Sequence, residues 1–174
     1  MREPIVIDNL FDDEFHNLII GELKYKAKWT LSFDDIPEGY SDAGFVCYSW
    51  VQNPNPDLIV DLTNANAWAY LIFNKVVTGN SSVIKSPELI RYVWNYYNSS
   101  SSGSEHVDHD EPNYYSIVYN LTTCNGAGTY IDGKFYESKA GRALLFPSNM
   151  LHKGVGPIDA ADNRFVLNVM FYNH

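Results

Sequence analysis

The stretch Gly128–Ser148, GTYIDGKFYESKAGRALLFPS, decides the fold class because it holds three short β-prone runs separated by turn residues. Asp132-Gly133 stands between the first two runs, and Asp-Gly is the typical sequence of a two-residue β-hairpin turn. Ala140-Gly141 separates the second run from the third. The stretch therefore predicts consecutive antiparallel strands.

The same pattern continues on both sides of this stretch. Further β-prone runs are Leu89–Tyr97 (LIRYVWNYY), Ser116–Thr123 (SIVYNLTT) and Arg164–Tyr172 (RFVLNVMFY). Several short strands at this spacing predict a β-sandwich or barrel. The 15% aromatic content, with 13 tyrosines, suits half-buried positions on a pleated sheet.

The N-terminal half shows mainly helical periodicity. We expect a short strand, a helix capped by Asp12 or Asp13, a second strand, and one helix or two helices that break at residues 64–66. In that order, these segments are Pro4–Leu10, Glu14–Lys28, Phe45–Val51 and Asp57 to about Thr78. Polar residues 34–44 predict a loop. The sequence thus predicts one α+β, mainly β domain over residues 1–174, with helical support at about 1–88 and a β core at about 89–172.

Charge and composition limit the classes of partner. The formal net charge of −9 disfavours sequence-independent nucleic-acid binding and docking on anionic membranes. No run reaches the roughly 18 apolar residues of a membrane span, and the N-terminus turns acidic too early for a signal peptide. With only two cysteines, we expect a cytoplasmic protein with reduced thiols.

Histidines and one aspartate predict a metal site. His106-Val107-Asp108 places an imidazole and a carboxylate on one face of an extended chain, and His152 follows the run RALLFPSNML. Two histidines and a carboxylate that leave other positions open favour non-haem Fe(II) over structural zinc. Taken singly, each of these residues is explained equally well as an ordinary surface residue. His109-Asp110-Glu111 is an alternative His-x-Glu motif for the metal site. We expect His16 and His174 at the surface.

Arg164 opens the last predicted strand. An inward arginine in an acidic protein requires a partner, and its guanidinium grips a carboxylate with two parallel hydrogen bonds. The simplest alternative is an ordinary salt bridge to Asp159 or Asp162. The sequence alone leaves both open.

The order of five blocks resembles the 2-oxoglutarate/Fe(II) oxygenases, in particular the prolyl 4-hydroxylase-like branch with its small phage-encoded members. The blocks are His106-x-Asp108, YSIVYNLT, GAGTYI, GRALLFPSNMLHKG and RFVLNVMF. The resemblance implies a double-stranded β-helix (jelly roll) core. It implies that His106, Asp108 and His152 are the metal ligands and that Arg164 holds the distal carboxylate of 2-oxoglutarate. The expected co-substrate contacts are Asn95, Tyr97, Asn168 and Asn120, the last standing where the family often has tyrosine.

This resemblance also implies an activity. The protein would be a hydroxylase that uses Fe(II), 2-oxoglutarate and O2, with ascorbate as a further expected cofactor. The substrate would be a prolyl residue of a peptide or protein, or a small molecule, in the host cytoplasm if the gene is phage-encoded. The acidic loop at 34–44 is most simply a solvated surface, and the resemblance adds the alternative that it closes over the substrate as a lid. Two alternatives stay open: a cupin-like metalloenzyme that does not use 2-oxoglutarate, and a metal-free jelly-roll binding module.

Overall fold

A computed structural model describes residues 3–25, 30–32, 44–51, 63–99 and 101–174 of the chain. These residues form two helices and ten strands. In chain order the elements are β1 (Ile5–Ile7), α1 (Asp13–Tyr25), β2 (Thr30–Ser32), β3 (Gly44–Val51), α2 (Thr63–Gly79), β4 (Pro87–Tyr97), β5 (Tyr114–Asn120), β6 (Gly128–Ile131), β7 (Lys134–Glu137), β8 (Ala143–Pro147), β9 (His152–Val155) and β10 (Arg164–Asn173).

The strands form two antiparallel sheets. The large sheet has seven strands in the order β1-β8-β5-β10-β4-β3-β2, and the small sheet has three in the order β7-β6-β9. Between them lies an apolar cluster that includes Val118 and Val166 of the large sheet and Ile131 of the small one. The predicted mainly β, two-sheet jelly roll is confirmed.

Both helices cover the outer face of the large sheet. Ile19 and Leu23 of α1 and Ile72 of α2 are fully buried in a core that also contains Trp94 and Leu167 of the sheet. Burial of such apolar surface is the main stabilising contribution to the fold. A helical layer over one face of the sheet is therefore confirmed.

The helix boundaries follow local chemistry. Asp12 caps α1, since its Oδ1 accepts a hydrogen bond from the backbone N–H of Phe15 at 3.0 Å. Helix α2 runs without interruption through residues 64–66, so the alternative of two helices with a break there is wrong. The remainder of the predicted segments, residues 26–28 and 57–62, lies outside the described residues.

The N-terminal part also supplies strands to the large sheet. β1 pairs with β8, while β3 pairs with β4 and β2 pairs with β3. The strand predicted at residues 45–51 is confirmed as β3, and β2 was not predicted. The loop predicted at residues 34–44 lies, apart from Gly44, outside the described residues.

The Asp-Gly hairpin is present between β6 and β7 and fixes the chain before His152. Asp132 and Gly133 both have positive φ angles, 47° and 77°, as a tight hairpin turn of this type requires. The backbone N–H of Asp132 donates to the carbonyl of Leu151 at 2.8 Å, and the N–H of Leu151 donates to Asp132 Oδ1 at 3.1 Å. His152 was expected to end the preceding strand; instead a turn after Pro147 lets it begin the separate strand β9.

Among the described residues, neither helix is long and apolar enough to cross a membrane. Cys124 is buried and forms no disulfide with another described residue.

Candidate metal centre

His106 and His152 lie opposite each other in an isolated antiparallel β-bridge. The backbone N–H of His106 donates to the carbonyl of His152 at 3.0 Å, and the reciprocal bond is 2.9 Å long. Their imidazole ring centroids are 4.4 Å apart. Since residues opposite each other in a ladder project to the same face, the bridge brings two histidines 46 positions apart into one site.

Asp108 adds a carboxylate to this pair. Its backbone N–H donates to the carbonyl of Ser148 at 3.0 Å, which holds it next to the bridge. Asp108 Oδ1 lies 3.9 Å from His106 Nε2, and its Oδ2 lies 3.6 Å from His152 Nε2. The potential ligand atoms of the three residues all lie within 4.8 Å of one another, and they form the one such cluster found among the described residues.

In both imidazoles the Nε2 atom is the nitrogen that is available to bind a metal ion. His106 Nδ1 lies 3.0 Å from the carbonyl of Ser104, and His152 Nδ1 lies 2.9 Å from the carbonyl of Met150. A carbonyl can only accept, so each Nδ1 carries the proton and each Nε2 keeps its lone pair for a metal ion. The donor set of two imidazoles and one carboxylate suits Fe(II) and leaves coordination positions free.

The electrostatics favour the ligating protonation states. Burial alone would raise the pKa of Asp108, but Arg91, His152 and Ser116 outweigh burial and hold that pKa below its usual value. Burial lowers the pKa of His152 despite the opposing charge of Asp108. At neutral pH the carboxylate is therefore ionised and the His152 imidazole is neutral.

Arg164 is a buried cation without an acidic partner. Its side chain donates five hydrogen bonds, all to neutral acceptors: Nε and Nη2 to Asn120 Oδ1 at 3.3 and 3.1 Å, Nη1 to the carbonyls of Gly128 at 2.6 Å and Val155 at 3.3 Å, and Nη2 to Thr129 Oγ1 at 2.8 Å. Within the described part of the chain no carboxylate forms an ion pair with it, so the alternative of a salt bridge to Asp159 or Asp162 is not what the structure shows. Burial lowers its pKa to about 10, and it stays charged at neutral pH.

A buried charge that lacks a counter-ion costs on the order of several kcal/mol. An anionic ligand would offset this cost, and the two hydrogen bonds of 3.3 Å are long enough to be exchanged for shorter, charge-assisted ones. The arginine therefore fits an anionic ligand such as a carboxylate.

The wall beside Arg164 is polar and tightly built. The Tyr97 ring centroid lies 5.2 Å from Arg164 Cζ, and a Cβ added at Gly154 would lie 2.7 Å from Tyr97 Oη and 3.2 Å from Arg164 Nη1. The side-chain oxygens of Asn95 and Asn168 are buried without a hydrogen-bond partner in the described structure. Because buried polar atoms are nearly always paired, these carboxamides indicate a place for a ligand.

Solved structures with this architecture cover nearly the whole chain. The collagen prolyl hydroxylase of Paramecium bursaria Chlorella virus-1, in complex with 2-oxoglutarate, superposes with a TM-score of 0.67 at 12% identity, over 98% of this chain and 97% of that one. An oxidoreductase of the 2-oxoglutarate-Fe(II) oxygenase family from Burkholderia pseudomallei gives 0.70 at 15% identity, over 99% and 86%. The non-haem α-ketoglutarate-dependent epimerase SnoN from nogalamycin biosynthesis gives 0.72 at 10% identity, over 99% and 79%.

The chain has the fold of the 2-oxoglutarate/Fe(II) oxygenases. No model of a protein family matches the sequence, and no curated protein does. At 10–15% identity the likeness shows the fold, and the geometry of the site must carry the argument on chemistry.

Within this oxygenase fold, the residues predicted to bind the co-substrate lie on three neighbouring strands of the large sheet, β4, β5 and β10. Pairing in register places Asn95 beside Val166, Asn168 beside Val118, and Asn120 beside Val166 on the other side. The side chain of Asn120 already has hydrogen-bond partners within the protein, since its Oδ1 accepts hydrogen bonds from Arg164 and, at 3.0 Å, from Ser138 Oγ. Its observed role is to hold the guanidinium.

The remaining histidines lie outside the cluster. The His109 ring stacks on Tyr114 with centroids 3.6 Å apart, and its Nδ1 accepts the backbone N–H of Glu111 at 3.1 Å. His174 is exposed beside Glu88, as expected. The expectation of a surface position for His16 is wrong, since it is only 3% exposed and its Nε2 lies 2.5 Å from Tyr119 Oη. Its helical spacing from Ile19 and Leu23 would have predicted this burial.

Arg91 was not predicted as a site residue. Its Nη2 donates to Asp108 Oδ1 at 2.5 Å, while Ser116 Oγ donates to Asp108 Oδ2 at 2.6 Å. Strand alternation gives the signal that was available, since Arg91 is four residues before Asn95 and six before Tyr97 and so shares their face.

Proposed function

We propose that this protein is an Fe(II)- and 2-oxoglutarate-dependent oxygenase that hydroxylates its substrate. One observation carries the proposal. The ligand atoms of His106, Asp108 and His152 lie within 4.8 Å of one another, and β9, which carries His152, also brings Gly154 against the buried Arg164, where an added Cβ would lie 3.2 Å from Nη1. A metal site alone would not require such an arginine.

Each residue has a definite task in this proposal. His106, His152 and Asp108 would hold Fe(II), and Arg164 would bind the distal carboxylate of 2-oxoglutarate, with hydrogen bonds from Tyr97 and Asn95. Bound Fe(II) and 2-oxoglutarate supply the oxidising chemistry with O2. The protein contributes orientation, and Asn120 keeps the guanidinium aimed by accepting two of its hydrogen bonds.

Apolar side chains around the metal ligands would exclude water. Phe146 packs edge-on against the His152 ring with centroids 5.0 Å apart. Val118, Met150 and Val166 belong to the same buried cluster. A dry site strengthens the electrostatic interactions inside it and protects reactive species from side reactions.

The substrate is proposed by class. A prolyl residue in a peptide or protein is the first class to test, because one similar structure is a collagen prolyl hydroxylase. A small molecule is the second class, since another similar structure is an epimerase from nogalamycin biosynthesis. Ascorbate is the proposed reductant for restoring Fe(II) after uncoupled turnover.

The test is an anaerobic titration of the protein with Fe(II) and then with 2-oxoglutarate. We expect a weak visible charge-transfer band that appears only when both are present, and a rise in melting temperature on adding 2-oxoglutarate. Arg164→Met should bind the metal yet require a much higher 2-oxoglutarate concentration. Arg142→Met is the matched control, because Arg142 is paired with Asp8 at 2.7 Å outside the site.

The outcomes also separate the alternatives. A cupin-like metalloenzyme would bind the metal and show neither the band nor a 2-oxoglutarate-dependent shift. A metal-free binding module would show no metal binding at all. Either result contradicts the proposed function.

A further inference from the structure

Arg91 stands on the side of the metal centre that the co-substrate proposal leaves unused. It lies on β4 opposite Met170 of β10, whereas Arg164 pairs with Tyr97 at one end of the same ladder. Arg91 is six residues before Tyr97 on β4, so the two arginines are separated by roughly 20 Å along the strand, with the Asp108 contact next to Arg91. They cannot serve the same end of a small diacid.

The hydrogen bonds of Arg91 leave most of its capacity free. Of the five N–H donors of a guanidinium, only Nη2 has an acceptor among the described residues, Asp108 Oδ1. Arg164, by contrast, donates five hydrogen bonds to four protein acceptors. The Arg91 side chain is 38% exposed while that of Asp108 is 12% exposed, so its unused edge faces the solvent side of the site.

The charges of the assembled site also favour a further anionic ligand. Asp108 contributes one negative charge, and Arg91 and Arg164 contribute two positive charges. A divalent ion and the dianion of 2-oxoglutarate cancel each other, so these three side chains leave one positive charge, while the neighbouring Asp110 and Glu111 are exposed to solvent. In a protein of net charge −9 this is a local exception, and a positively charged site favours an anionic ligand.

We propose that Arg91 is a specificity-determining residue, which binds a carboxylate of the primary substrate next to the metal while its Nη2 atom keeps hold of Asp108. This inference rests on the proposed oxygenase function. The carboxylate has two sources with the same chemistry: a free amino acid or other small acid, and an acidic side chain or C-terminus of a peptide.

The experiment compares acids with their neutral amides. Anaerobic protein saturated with Co(II) and 2-oxoglutarate is titrated with free amino acids and their carboxamides. A second arm uses prolyl peptides that carry Asp or Glu against the same peptides with Asn or Gln, and free against amidated C-termini. Binding is measured by isothermal titration calorimetry and by the change in the Co(II) visible spectrum.

We expect at least one acid to bind at least about tenfold more tightly than its amide. In Arg91→Met this ratio should fall to about one, Arg91→Lys should restore part of it, and the control Arg142→Met should leave it unchanged. The arm that contains the preferred acid identifies its source.

Two results would overturn the inference. One is that no acid in either arm binds more tightly than its amide to the wild-type protein, which needs no variant to fold. The other is that Arg91→Met weakens metal binding but keeps the acid-to-amide ratio, since Arg91 would then only position Asp108. A normal Co(II) and 2-oxoglutarate response in the same samples would leave the proposed oxygenase function intact, whereas its absence would remove both.

Discussion

His106 and His152 exchange both backbone hydrogen bonds across an isolated β-bridge, at 3.0 and 2.9 Å, and each ring uses its Nδ1 on the carbonyl two residues before it. The two ligands are therefore held by the same local device, and their Nε2 atoms converge beside Asp108. Because backbone hydrogen bonds set the positions, the site is pre-organised before a metal ion binds.

This geometry predicts which histidines bind metal. His106→Ala should lower the affinity for Co(II) or Fe(II) by at least about 100-fold, because a ligand is lost rather than a group that merely supports one. His109→Ala should change it little, because the His109 ring stacks on Tyr114. Anaerobic calorimetric titration measures both. A large loss in His109→Ala with little change in His106→Ala would favour the rival His109-x-Glu111 motif.

Asn120 offers a way to neutralise Arg164 without removing it. Asn120→Asp places a carboxylate where the amide oxygen already accepts from Nε and Nη2. This internal anion should compete with 2-oxoglutarate and weaken its binding by at least about tenfold, while Co(II) affinity stays within a few-fold of the wild type. Asn74→Asp, at a half-buried position on α2 away from the site, controls for added charge. Unchanged 2-oxoglutarate binding in Asn120→Asp would argue against Arg164 as the anchor.

Gly154 should tolerate no side chain. Ala at this position would put a Cβ 2.7 Å from Tyr97 Oη and 3.2 Å from Arg164 Nη1, so we expect Gly154→Ala to lose about 1–3 kcal/mol of unfolding free energy and to bind 2-oxoglutarate more weakly. Gly21→Ala is the matched control, since nothing lies within 4 Å of its added Cβ within α1. That change should stabilise the protein by roughly 0.5–1 kcal/mol. Urea unfolding compares the two, and an equal effect would contradict the close contact.

The buried His16 predicts a pH dependence of stability. Burial holds its pKa below the usual 6.5, against the opposing charges of Asp13 and Asp12. The folded protein thus binds fewer protons than the unfolded chain, so unfolding free energy is unaffected well above pH 6.5 and falls as pH drops below it. His16→Gln should remove up to about 1.4 kcal/mol per pH unit of this fall.

Urea titrations of metal-free protein between pH 7 and pH 5 measure this difference. A slope in His16→Gln as steep as that of the wild type would show that His16 is protonated equally in both states.

Short sequence patterns predicted much of the fold because turns and strands depend mainly on residues that are close together in the chain. The Asp132-Gly133 turn requires positive φ angles that this dipeptide accepts easily, and it was found where expected. β9 was missed because HKGV is short and contains glycine, so no alternation can be seen in it. β2 is a three-residue strand whose existence depends on pairing with β3.

Contacts between distant residues were harder to predict. Spacing within the chain placed His106 and Asp108 on one face, and the position of His152 after a predicted strand made it the candidate third ligand, but the bridge that joins them spans two segments. The hydrogen bond between Arg91 and Asp108 depends on how β4 lies against the loop after it. Alternation gives the face of a side chain and leaves its partner undetermined.

The most direct test of the central claim is the position of the metal itself. Crystals soaked anaerobically with Fe(II) and measured at the iron absorption edge should show one strong anomalous peak, about 2.0–2.2 Å from His106 Nε2, His152 Nε2 and an Asp108 oxygen. Such a peak would agree with the three-residue site. An iron peak elsewhere, or saturating Fe(II) with no peak among these side chains, would contradict it.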